Sequence, residues 1–153
     1  MKAKDILKDL KLSGPFSVIL LAGVESDDLS RLLTGLVRAA FRTDSLILDS
    51  GGVSGIEQAC IKSSVALLGV AADDSVVYPT RPPHSDKARQ LVTPGHTHLI
   101  TLGNKGDHMN YEEVINFRAR LLRRLTTGKR IQRQLLCVIA GDGPNCLIDV
   151  EMV

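Results

Sequence analysis

The sequence predicts an α/β fold: a doubly wound, mainly parallel sheet with helices on both faces. Three observations predict it. Apolar runs of strand length alternate along the chain with longer segments of helical period. Those runs (SVILLA, SLILD, LLGVAA, LLCVIAG) are continuous rather than alternating, as in strands covered on both sides. Glycine-rich or acidic loops follow nearly every run, where such a sheet gathers its ligand-binding loops.

The elements follow in order. Residues 3–12, AKDILKDLKL, place Ile6, Leu7 and Leu10 on one side of a short amphipathic helix, which Ser13, Gly14 and Pro15 stop. Residues 1–14 are assigned to that helix or a linker, and 15–153 to one domain. A first strand is expected over 16–22. A helix over 27–42 carries Leu29, Leu32, Leu33, Leu36, Val37 and Ala40 at helical spacing. SLILD is the second strand, GIEQACIKSSVA the second helix and LLGVAA the third strand. Residues 73–95, rich in Pro, Asp and Arg, show no period and are long for a loop in a compact domain. HLITLG, a helix over 111–127 and LLCVIAG complete the alternation. GPNCLIDVEMV opens a last helix, with no final strand after it in these residues.

Composition excludes several function classes. The net charge of +2 gives no default attraction to nucleic acid or to a membrane surface. Aromatic residues make up 3% of the chain and Trp is absent, so a base-stacking platform is not expected. Cys60, Cys137 and Cys146 form no C-x-x-C pair and sit in or beside apolar runs. They read as small buried hydrophobes in a reducing compartment. No apolar run approaches the length of a membrane span, and the N-terminus lacks a signal-peptide block. A cytoplasmic protein is expected.

The candidate site lies at the carboxyl ends of the strands. Gly23 follows the first, Gly51, Gly52, Ser54 and Gly55 the second, Asp73 the third, and Gly143, Pro144 and Asn145 the fifth. A glycine-rich turn from strand to helix offers N–H groups, the positive end of a helix dipole and no Cβ in the way, which are the needs of a phosphate. GGVSG is neither a dinucleotide fingerprint nor a P-loop, and a tight packing turn is its structural alternative. Asp73, about 20 residues beyond that loop, suits a ribose hydroxyl or a turn cap.

The helix over 111–127 gives a sharper signal. Val114, Leu121, Leu122 and Leu125 share one face, Tyr111 joins them, and Arg118 falls near the centre of that apolar stripe. An inward guanidinium keeps its charge and must meet an anion. A side-chain carboxylate such as Asp49 or Asp142 is one partner that fits. A ligand phosphate is the other, with the Tyr111 phenol placed for a base or ribose. Arg120, Arg123 and Arg124 point to solvent. His96 and His98 lack further metal ligands at workable spacing and read as structural hydrogen-bonding groups, so no metal site is expected.

With these residues in view, HTHLITLGN, NYEEVINFRARLLRRL, LLCVIAGDGPNCL, DSGGVSGIEQA and SVILLAGVES together resemble the N-terminal cytosolic domain of melastatin-type TRP channels. The resemblance is collinear over about residues 15–150. It implies a Rossmann-like domain of the SLOG superfamily in a stand-alone, prokaryote-type version (LSDAT), without channel segments. It also implies a ligand of the ADP-ribose or NAD class, with no cofactor required and no catalytic residue. By the same resemblance Tyr111 and Arg118 match a Tyr–Arg pair of ligand contacts, and Gly51, Gly52, Ser54 and Gly55 the first phosphate loop. The partners implied are a small-molecule nucleotide and either a second copy or an effector domain that receives the signal.

Two departures stand out: Asp142 replaces a glycine and Cys146 a threonine. The relatives' further arginine-bearing loop has no counterpart up to Val153. Two other functions stay open. One is a phosphoribohydrolase of the same superfamily, for which Ile148 or Asp149 stands where the resemblance puts a glutamate, and Glu57 is a remaining acid. The other is a non-binding oligomerisation domain.

Overall fold

The structure, a computed structural model, describes residues 3–12, 14–22, 29–51, 55–77, 90–91, 95–103, 111–128 and 130–139. Its helices are α1 (Ala3–Asp9), α2 (Ser30–Thr43), α3 (Glu57–Ser63) and α4 (Tyr111–Thr126). Its strands are β1 (Ser17–Ala22), β2 (Ser45–Asp49), β3 (Leu67–Ala72), β4 (Val76–Val77), β5 (Gln90–Leu91), β6 (His98–Leu102) and β7 (Leu135–Ile139). Five strands form one all-parallel sheet in the order β6-β3-β2-β1-β7, and β4 pairs with β5 in a separate parallel ribbon.

That order follows from alternating sheet faces. Ile19, Leu21, Ile47 and Leu67 point to one side, where Leu33, Val37 and Ala40 of α2 and Cys60 of α3 cover them. Val18, Leu20, Leu48, Leu68 and Val70 point to the other, against Val114, Leu121 and Leu125 of α4 and Ile6 and Leu7 of α1. The chain winds outward from β1 to β6 and then crosses back to place β7 on the free side of β1. The sheet is therefore doubly wound, with its reversal of strand order between β1 and β7.

Several expected boundaries shift. α1 ends at Asp9 and not at Leu12, because Lys11 turns left-handed (φ 56°). α3 ends at Ser63 because Ser64 is left-handed (φ 53°), and its N–H closes onto the Cys60 and Ile61 carbonyls. Val65 and Ala66 are thereby freed to lead into β3. The segment read as an aperiodic loop contains a 3₁₀ turn over Asp73–Ser75 and the β4–β5 ribbon. The helix expected at the end of the chain lies outside the described residues, as do residues 27 and 28 at the start of the helix expected over 27–42.

β7 differs from its expectation in kind. Its apolar run reads as fully covered, yet Leu136 is 52% exposed, because β7 is the sheet's edge and α2 and α3 sit over β1 to β3. This contrast is testable by urea unfolding. Leu48→Ala, at a fully buried position, should cost about 2–5 kcal/mol, while Leu136→Ala should stay within about 0.5 kcal/mol.

Candidate functional site

β2 ends in an exchange of hydrogen-bond partners. Along β3, Ala66 offers its carbonyl to Ile47 N–H of β2, and Leu67 offers its own to Thr97 N–H on the opposite side. Carbonyls alternate sides along a strand, so that of Val70 also points toward β2. The last paired residues are Asp49 and Gly69. The next donor in this two-residue rhythm would be Gly51 N–H and the next acceptor the Val70 carbonyl. That bond is replaced. Gly51 N–H donates instead to Asp49 Oδ1 at 2.8 Å, and the chain turns away through φ 81° at Gly51. The Val70 carbonyl accepts from Arg118 Nε at 3.4 Å and Nη2 at 3.3 Å.

Arg118 is 3% exposed, so its position on the inward face of α4 follows the apolar spacing. Helical side chains lean toward the helix N-terminus, and α4 follows β6 and runs back down the sheet. The guanidinium is thus carried up toward the carboxyl ends of the strands. There it meets the carbonyl of Val70, the residue whose backbone nitrogen Gly51 lies near, since a Cβ on Gly51 would fall 3.7 Å from Val70 N. The glycine turn and the inward arginine converge on one residue, Val70.

Asp49 is 2% exposed, and its Oδ1 also accepts from His96 Nε2 at 2.9 Å. Asp49 therefore shapes the turn, a role that its sequence position did not signal. Asp142 lies outside the described residues. His96 performs the hydrogen-bonding role expected of it. It does so from the approach to β6, with its side chain buried against Asp49. His98 Nδ1 pairs with Thr97 Oγ1 at 3.0 Å.

Two glycines that the sequence reading passed over make this packing feasible. A Cβ on Gly69 would stand 2.8 Å from Gly51 Cα and 2.9 Å from His96 Cδ2, so β3 has only a hydrogen where the turn and the imidazole cross it. Gly95 packs directly on the backbone and Cβ of Glu57. A glycine inside the continuous run LLGVAA was the available signal of such a close approach. Glu57 itself is 4% exposed in the first turn of α3, deeper than a residue merely complementing a helix dipole.

The other expected site residues divide as follows. Asp73 sits in the 3₁₀ turn after β3, close enough to Gly103 that a Cβ there would fall 3.4 Å from the Asp73 Cβ. Tyr111 is 38% exposed, which corrects its expected place on the buried stripe. As the first residue of α4 it stands at the rim, beyond the cover of the sheet. Gly55 has φ 77° and is exposed. Gly23, Gly52, Ser54, Gly143, Pro144 and Asn145 lie outside the described residues. Among the described residues, no three His, Cys, Asp or Glu side chains form a group that could hold a metal ion. No described helix is long and apolar enough to cross a membrane. Two clefts lined by described residues open elsewhere. One of about 920 Å³ lies between α4 and β7, and one of about 230 Å³ lies at the amino ends of β2 and β3.

Cys60 lies next to this buried acidic ground. Burial, then the nearby charges of Asp49 and Glu57, push its thiol up from 9.0 to about 12. The folded chain keeps this proton where the unfolded chain releases it. The linked stability is present below pH 9 and is lost as pH rises toward 12. Iodoacetamide at about pH 8 should leave Cys60 unlabelled in the folded protein and label it after denaturation, as read by peptide mass mapping. Gly69→Ala should lower stability by about 1–3 kcal/mol in urea unfolding, since both the turn and the imidazole must retreat.

A search of curated proteins finds no match to this chain. The profile of the family described as "SLOG in TRPM, prokaryote" does match, over residues 14–153, nearly the whole sequence and every strand described above. The parallel sheet is the Rossmann-like one that the resemblance implied. This chain belongs to the prokaryotic SLOG-in-TRPM family.

Proposed function

We propose that this domain binds a nucleotide derivative of the ADP-ribose or NAD class and signals its presence without consuming it. The observation that carries the reading is Arg118, a buried guanidinium brought to the carboxyl end of the sheet beside the Gly51 turn. A diphosphate needs a fixed cation and backbone N–H donors; in this reading Arg118 is the first, and the amides of the loop that follows Gly51 supply the second. Two further groups support it. Asp73 closes the next strand, as a partner for ribose hydroxyls, and the Tyr111 ring at the rim suits a base or second ribose. In this reading Gly23, Gly52, Ser54, Gly55, Gly143, Pro144 and Asn145 complete the loops around the ligand. A second copy or an effector domain receives the signal, in the cytoplasm.

Thermal unfolding tests this directly. ADP-ribose or NAD at about a hundred times its Kd should raise Tm by about 5–10 °C. Arg118→Met keeps the apolar stem on the inward face and removes the charge. It should abolish the shift while the unliganded protein stays folded. Chromatography of the ligand after long incubation separates the classes. Intact ligand accompanies a sensor, and free base would instead identify a phosphoribohydrolase, for which buried Glu57 becomes the first acid to replace.

A further inference from the structure

We infer that Asp49 and His96 are positioning residues of the proposed anion site: together they hold the Gly51 amide off the Val70 carbonyl. The inference rests on the nucleotide-binding reading for its effect on affinity, but not for its structural content.

Two arrangements compete at the end of β2. In one, the ladder adds a rung, with Gly51 N–H donating to Val70. In the other, the observed one, Asp49 Oδ1 captures that amide at 2.8 Å and the Val70 carbonyl is left for Arg118. The same Oδ1 accepts from His96 Nε2 at 2.9 Å, so the imidazole fixes which way the carboxylate points. The histidine is fixed in turn, with its ring against Gly69 and its neighbour Gly95 against Glu57. A buried carboxylate deprived of this donor would rotate toward other hydrogen-bond donors. The amide would then return to Val70 and compete with the guanidinium for that carbonyl, which shifts the arginine relative to the turn. Neither Asp49 nor His96 needs to touch the ligand for this to matter. What they set is whether the arginine and the glycine turn are arranged before binding or must rearrange during it.

The test compares the full chain with His96→Ala and with His96→Gln, whose side-chain amide can present an N–H at the reach of imidazole Nε2. Calorimetric titration with ADP-ribose and with NAD gives affinity. Through-hydrogen-bond NMR couplings show whether the Gly51 amide pairs with the Asp49 carboxylate or the Val70 carbonyl. His96→Ala should weaken ADP-ribose by about tenfold or more and move the Gly51 pairing to Val70. His96→Gln should restore both. A His96→Ala protein that keeps wild-type affinity and the Asp49 pairing overturns the inference. So does a His96→Gln protein that keeps the Asp49 pairing yet binds no better than His96→Ala. If His96→Ala does not fold, His96→Asn, whose amide falls short of Asp49, takes its place with the same expectations. If the wild type binds neither ligand, the nucleotide reading falls and the couplings alone decide this one. A shift to Val70 supports it and an unmoved Asp49 pairing overturns it.

Discussion

The capture of one backbone amide by one aspartate organises the carboxyl side of this sheet. Gly51 N–H turns to its own strand's Asp49 and not to Val70, and β2 stops there. The vacated carbonyl is what Arg118 meets, and the same carboxylate ties in His96 from the approach to β6. Four segments distant in sequence are joined through the Asp49 oxygen and the Val70 carbonyl. Buried polar groups are tolerated only when satisfied, so each member holds the next in position.

The apolar framework explains why so much charge can sit there. α4 presses Val114, Leu121 and Leu125 into the sheet, and Arg118 shares that face because its long stem packs with them while its head reaches the sheet's end. Asp49 benefits from a different arrangement, since its strand is the middle one and every side of it is protein. Taking such ions out of water costs several kcal/mol each before hydrogen bonds offset it. These residues are therefore poor candidates for simple stabilisation, and a role in shaping a site accounts for them better.

Much of the fold was legible because burial on two faces leaves a pattern in one dimension. SVILLA, SLILD and LLGVAA are strands as read, and the inward placement of Arg118 followed from its distance to Val114 and Leu121. The misreadings share one cause: they depend on neighbours that sequence spacing does not reveal. LLCVIAG looks as buried as the other runs, and only the strand order shows that it forms an edge. Tyr111 has the right phase for the buried stripe but lies past the end of the surface that the stripe packs on. The site was half legible. Glycines at Gly51 and a cation at Arg118 announce themselves by type, whereas the pairing of Asp49 with His96 joins residues nearly fifty positions apart. Gly69 could have been read from its anomaly inside a strand, but what crosses it could not.

The position of β7 beside β1 has a consequence for how the molecule comes into being. The first strand gains its second neighbour only from the last described strand, so half of the central ladder closes between distant parts of the chain. Such pairings are slow because a large loop must lose its freedom before any contact rewards it. During synthesis, β1, β2, β3 and β6 would emerge and assemble with an open flank, and the crevice at the reversal point would take shape last. Anything that binds only the chain with β7 in place would favour it over the four-stranded precursor, acting on maturation as well as on the finished protein.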